Sequence, residues 1–177
     1  GWGVSKLWEL YRYNKERSDQ PEELLSVYRD HGVIPKVSRD YNHNKASEDL
    51  SNYLLVQPDD LVINKMKAWQ GSVAISSHRG IVSPAYFTYK LTPTGKDKLH
   101  LRYLHHLLRS RMYIETYKRI SKGIRPGQWD LDPYQFKILS VLIPPLETQK
   151  RIAGFLDKRT NTIDELVVKK EKLIELL

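Results

Sequence analysis

The sequence predicts an α+β fold: a mixed-sheet body over residues 1–146, then a long coiled-coil-forming helix over 147–177. Three observations carry this expectation. Short β-branched and aromatic runs, bounded by Gly, Pro, Asp or Ser, recur up to residue 91, as strands require. The pair Pro144-Pro145 marks an abrupt change from extended chain to helix, because such a pair cannot sit inside one. Beyond that pair there is no proline and one glycine, Gly154, as far as Leu177.

Taken in order, residues 24–29, 53–56, 61–64, 72–76 and 86–91 read as strands. Pro58-Asp59-Asp60 reads as a turn, and Gly71 as a break after Trp69. Residues 98–120 read as one helix with Leu101, Leu104, Leu108 and Met112 on its apolar face. Residues 121–131 form a Gly- and Pro-containing loop, and 138–143 a last strand. In the terminal helix Ile152, Leu156, Ile163, Leu166, Leu173 and Leu177 fall on one 3-4 spaced stripe, interrupted by Arg159 and Lys170. That spacing marks a coiled-coil seam, on which isolated polar residues fix register or partner. At 1.5 Å per residue the helix would reach about 46 Å and overhang the body. The seam is therefore expected to be an interface. Leu177 carries no capping glycine, which fits a shortened chain or half of a larger one.

A chain of 177 residues accommodates one domain and an appendage. It has no cysteine, hence no disulfide framework and no thiolate metal site or nucleophile. No apolar run approaches membrane-spanning length, and Gly1-Trp2-Gly3-Val4 lacks the layout of an export signal. A cytoplasmic protein with no membrane partner is expected. The net charge of +8 is uneven. Residues 147–177 hold 7 Lys/Arg and 6 Asp/Glu, whereas 98–125 hold eight Lys/Arg and one acid, Glu115. A basic body on a charge-balanced helix suggests that the body meets a polyanion and the helix meets protein.

Catalytic patterns do not emerge. Residues 58–65 resemble a metal-dependent nuclease motif, but such sites need an acid two residues before the lysine, and Ile63 stands there. His100, His105 and His106 lack the four-residue spacing that puts two imidazoles on one helix face. There is no phosphate-cradling glycine loop, no nucleophile elbow and no dinucleotide fingerprint. A non-catalytic chain without cofactor or metal is expected. What remains is a set of loops with interleaved basic, amide and aromatic residues. Residues 64–71 supply Lys65, Lys67, Trp69 and Gln70; residues 121–129 supply Lys122, Arg125 and Gln128. Arg39, near Asn42-His43-Asn44-Lys45, offers a further contact. Lysines neutralise phosphates, while Arg and Gln present the paired groups that read base edges. Trp69 and Trp129 either pack beneath their loops or join this surface.

With its proline pair at Pro144-Pro145, then Leu146-Glu147-Thr148-Gln149, Phe155-Leu156-Asp157 and Thr162-Ile163-Asp164-Glu165-Leu166, the chain resembles a family: the specificity (S) subunits of type I restriction–modification systems. The resemblance is sharpest in the run from Ile143 through Pro144-Pro145-Leu146-Glu147-Thr148-Gln149 to Ile152, in Phe155-Leu156-Asp157, and in Thr162-Ile163-Asp164-Glu165-Leu166. Pro58-Asp59-Asp60-Leu61-Val62 and Gly80-Ile81-Val82-Ser83-Pro84-Ala85-Tyr86 resemble the family's body more loosely. The resemblance implies a target-recognition domain followed by a spacer helix that packs antiparallel on that of a second unit. It implies double-stranded DNA as ligand, adenine methyltransferase (M) subunits and a restriction (R) subunit as partners, and S-adenosylmethionine held by the M subunit. Family members usually carry two such units; this sequence has one, so the second lies in the same chain or comes from a homodimer. The alternative expectation is a protein-interaction adaptor that associates through its C-terminal helix.

Overall fold

The computed structural model describes residues 1–38, 49–123 and 129–176. Its elements, in chain order, are β1 (Gly3–Lys6), α1 (Leu7–Leu10), β2 (Tyr11–Asn14), β3 (Leu25–Tyr28), β4 (Gly32–Pro35), β5 (Leu54–Val56), β6 (Leu61–Asn64), β7 (Val73–Ile75), β8 (Gly80–Val82), β9 (Tyr86–Leu91), α2 (Pro93–Lys98), α3 (Leu101–Leu108), α4 (Arg111–Ile120), β10 (Ser121–Lys122), β11 (Asp130–Leu131), α5 (Pro133–Lys137), β12 (Ser140–Ile143) and α6 (Leu146–Glu175). A four-stranded sheet in the order β2-β9-β6-β7 is the centre. Its ladders are antiparallel, as are the two-stranded ribbons β1-β12, β3-β4, β5-β8 and β10-β11. The parallel component is a bridge between Leu24 and Ile81.

Strand β6 shows why the sheet is covered on both faces. Successive side chains of a strand point to opposite faces, yet Leu61, Val62 and Ile63 are all fully buried. Leu61 and Ile63 enter a core shared with Leu10, Leu104, Tyr117 and Phe136. Val62 enters a second core with Leu25, Val33, Val56 and Val82. Helices therefore cover one face, and the β3-β4 and β5-β8 ribbons the other. Burying each aliphatic side chain of this strand contributes about 1.5–3 kcal/mol. The Pro58–Asp60 turn feeds the strand as expected: Asp59 has φ +73°, and the Asp60 carboxylate accepts the Gln57 N–H at 2.8 Å. Burial pushes Asp60 up to about 6.

The expected single helix over 98–120 is two helices, α3 and α4, and a further one, α2, precedes them and ends at Lys98. Thr92 caps α2 by accepting the Gly95 N–H at 3.0 Å, and Pro93 occupies its first turn. Gly95 is obligatory, since a Cβ there would lie 2.4 Å from the Leu10 carbonyl oxygen. The chain breaks again at Arg109-Ser110. The Arg109 guanidinium donates to the carbonyl oxygens of Val73 at 3.1 Å and of Arg29, tying this corner to strand ends. The break rotates the following turn, so Tyr113 and Tyr117 are buried while Met112, assigned to the apolar face from sequence, is exposed.

Helix α6 is the appendage the sequence predicts. Its thirty residues span about 45 Å. It starts at the proline pair, with the Thr148 and Gln149 N–H groups donating to the Pro145 carbonyl. From residue 158 to 176 every position is exposed.

A candidate nucleic-acid interface and an open helical seam

The turn after β6 is held from within. Asn64 accepts the Met66 N–H through its side chain, and the Lys67 N–H through its backbone carbonyl. Ala68 is fully buried and pins the short helical turn Ala68–Gln70. Gly71 closes it at φ +95°, in the left-handed region that favours glycine. A Cβ at Gly71 would also lie 3.0 Å from the Ile114 Cδ1. Trp69 donates its indole N–H to the Met66 carbonyl at 3.1 Å. Lys67 and Gln70 are thereby left exposed on a rigid turn.

The two loops singled out from sequence meet here. The Leu131 N–H donates to the Lys65 carbonyl at 3.0 Å. Lys65 Nζ lies 3.2 Å from the Asp130 carboxylate. Trp69 and Trp129 contact edge to face with centroids 5.2 Å apart. Both indoles are half-buried, so neither is a core residue and neither is free of the body. Lys122 pairs with Asp132 at 3.3 Å. Asp132 also caps α5, and the Gln135 and Tyr134 N–H groups help hold its carboxyl below the usual range. Lys65 and Lys122 are thus engaged internally, whereas Lys67 has no ion-pair partner among the described residues. Arg39, Arg125 and Gln128 lie outside the described residues.

A groove of about 700 Å³ opens beside this turn, between it and the β3-β4 ribbon. Lys36, Arg29, Lys67 and Gln70 are among its lining residues, with Trp69 and Tyr86 as aromatic surfaces. Burial raises the Tyr86 phenol, against the smaller lowering effect of the neighbouring Ser26 and Asn64 side chains. Sequence reasoning missed Arg29, Lys36 and Tyr86 as groove residues. Their approach to residues 64–71 depends on ribbon packing, which leaves no local trace.

The seam on α6 is distinct from the face that holds the helix to the body. Gln149, Ala153 and Asp157 make the inward stripe. Gln149 is fully buried; its Oε1 accepts the His100 N–H at 2.8 Å, and its Nε2 donates to the Lys98 and Pro144 carbonyls at 2.9 and 2.8 Å. Asp157 pairs with Arg102 and lies 2.7 Å from His106 Nε2, and these neighbours hold its carboxyl below the usual range, Arg102 most of all. At 100° per residue this stripe sits roughly 100° around the helix from the seam. Ile152 and Leu156 on the seam are half-buried, whereas Ile163, Leu166 and Leu173 are exposed by 57%, 52% and 59%. Leu177 lies outside the described residues. Among the described residues no cluster of His, Asp or Glu suits a metal ion, and no helix is long and apolar enough to cross a membrane.

One family model matches the sheet body and the projecting helix together. The chain belongs to the family described as the type I restriction modification DNA specificity domain, which matches residues 1–176. A Methanocaldococcus jannaschii protein assigned as the specificity subunit of the MjaX type I restriction enzyme is 28% identical over 168 residues, covering 94% of this chain and 38% of that protein. The HsdS subunit from Thermoanaerobacter tengcongensis superposes with a TM-score of 0.61 at 17% identity, over 100% of this chain and 47% of the other. The S subunit of a type I system from M. genitalium gives 0.58 at 13% identity, over 94% and 41%. The chain therefore spans less than half the length of these relatives.

Proposed function

We propose that this chain is one target-recognition unit of a type I specificity subunit, with residues 1–146 binding duplex DNA and residues 147–177 serving as the spacer helix. It reads one half of a bipartite site and carries out no bond-making step itself. The observation that supports the reading is the internally held turn that leaves Lys67 and Gln70 exposed where residues 64–71 meet residues 129–131. Lysine supplies phosphate contact and glutamine a bidentate match to adenine. Helix α6 pairs antiparallel with a second unit, in the same polypeptide or in a second copy. Methyltransferase subunits, holding S-adenosylmethionine, and a restriction subunit act on the DNA so positioned, in the cytoplasm.

Co-expression with an adenine methyltransferase subunit, followed by genome-wide mapping of methylated adenine, tests this. The expected result is a bipartite motif, with two inverted identical halves if the second unit is another copy. Gln70→Ala should relax one base position, whereas Lys67→Ala should weaken all sequences alike. Absence of methylation, together with absence of salt-dependent binding to duplex DNA, would overturn the reading. The fully exposed stretch 158–176 supports a second reading, an adaptor acting through its helix. Tight self-association without DNA binding would select it.

A further inference from the structure

Among the described residues, the outer face of α4 is exposed. Tyr113 and Tyr117 face the core, while Arg111, Lys118 and Arg119 are exposed. Arg111 and Lys118 form no ion pair among the described residues, and Arg119 reaches only the Thr116 hydroxyl on its own helix. Glu115 lies between them and also forms no ion pair among the described residues. The position of this face matters. Ile114 is the α4 residue against Gly71, with its Cδ1 3.0 Å from where a Cβ would be. Arg111 and Lys118 stand three residues before and four after Ile114, which makes them its surface neighbours. On the helix surface they lie to either side, along the axis, of the residue that meets the glycine closing the Ala68–Gln70 turn. Arg29, whose Cγ is 3.5 Å from the same point, completes the surround but is paired with Asp30 at 3.0 Å.

We infer that Arg111, Lys118 and Arg119 form a phosphate-contacting strip that holds the DNA backbone beside the Lys67–Gln70 turn. The inference rests on the DNA-recognition reading and extends it to a surface with a different task. Arg111 and Lys118 are separated by about 10 Å along the helix axis, the rise of seven residues. That matches about three phosphates of one strand, at 3.4 Å each along the duplex. The strip carries no sequence preference, because phosphates are the same at every step. It divides labour with the turn: α4 supplies affinity and register, the turn supplies choice of base.

The test compares wild type with the Arg111→Ala/Lys118→Ala/Arg119→Ala variant by fluorescence anisotropy, using a 30-base-pair duplex of arbitrary sequence across a salt series. Each lost phosphate contact removes about 0.9 from the slope of log affinity against log salt. The variant should lose about two to three from that slope and bind about 10- to 100-fold more weakly at low salt. Glu115→Gln should move the other way, tightening binding a few-fold. Thermal unfolding checks that the exposed substitutions leave the fold intact. In the methylation assay the triple variant should lower occupancy at every site and leave the motif unchanged. An unchanged slope in a folded variant, while Lys67→Ala still weakens binding, would overturn the strip and spare the recognition reading. A wild-type protein that binds no duplex would overturn both.

Discussion

Replacing Gln149 tests what fixes the helix to the body. Its amide satisfies three backbone groups at once: the His100 N–H and the carbonyls of Lys98 and Pro144. Leucine fills similar space but offers none of these bonds. A buried polar group left unpaired costs about 1–3 kcal/mol. Three weakened partners, two of them carbonyls that tolerate under-use better than an N–H, give a loss of about 3–5 kcal/mol for Gln149→Leu. That is a large fraction of a typical domain's stability of about 5–15 kcal/mol. Gln149→Glu separates this account from simple packing. It keeps an acceptor for His100 but turns a second oxygen toward two carbonyl oxygens. Burial and these acceptors disfavour its charged form, so its carboxyl should titrate above the ordinary range. Protonation then restores one donor. Urea unfolding should show Gln149→Glu at a deficit at pH 7.5 that narrows as pH falls toward 5, while the Gln149→Leu deficit stays constant. A leucine variant within about 0.5 kcal/mol of wild type, or a glutamate deficit independent of pH, would refute the clamp.

Three further outcomes follow from the same geometry. Leu166→Asp should leave thermal unfolding of the body unchanged, because Leu166 is exposed, yet abolish association through the seam in sedimentation velocity. Asp157→Asn should remove one acid-sensitive contribution: the lowered carboxyl of Asp157 stabilises the fold above its unfolded value of 3.8 and stops doing so as pH falls through the folded value, so the wild-type advantage should vanish in acid. That pair is partly exposed and contributes no more than about 1 kcal/mol, which salt should reduce. Gly71→Ala should destabilise by about 1–3 kcal/mol through its positive φ and the close Ile114 methyl, measured by chemical denaturation.

What was legible in the sequence was local. Strands β6 and β9 fall at residues 61–64 and 86–91 as expected, because their apolar and β-branched runs are bounded by turn residues. Helix α6 starts within one residue of its expected start, because a proline pair dictates it. What was not legible depends on distant partners. Strand β1 exists by pairing Gly3–Lys6 with Ile143–Ser140, at the other end of the body. The corner at Arg109 forms because strand-end carbonyls await its guanidinium, and no periodicity in 98–120 records them. Each half of the candidate interface was visible as an aromatic–basic loop. Their contact was not, and neither was the pairing of Lys65 and Lys122 with Asp130 and Asp132, which leaves Lys67 as the lysine of the turn without an ion pair among the described residues.

The two faces of α6 explain why the helix can be both firmly attached and available. Its attachment uses directional polar contacts, Gln149 to three backbone groups and Asp157 to Arg102 and His106, eight residues apart. Two such points, just over two turns apart, fix rotation about the helix axis as well as tilt. An apolar docking face would hold the helix less specifically, because burial is roughly proportional to area and has no direction. The seam is then presented at a set angle to the Lys67–Gln70 turn, with its exposed apolar residues free for a partner. In the proposed role this is the property that matters. A second unit gripping the seam inherits that angle, so the separation and relative orientation of two DNA-reading surfaces are determined by polar contacts made inside each unit.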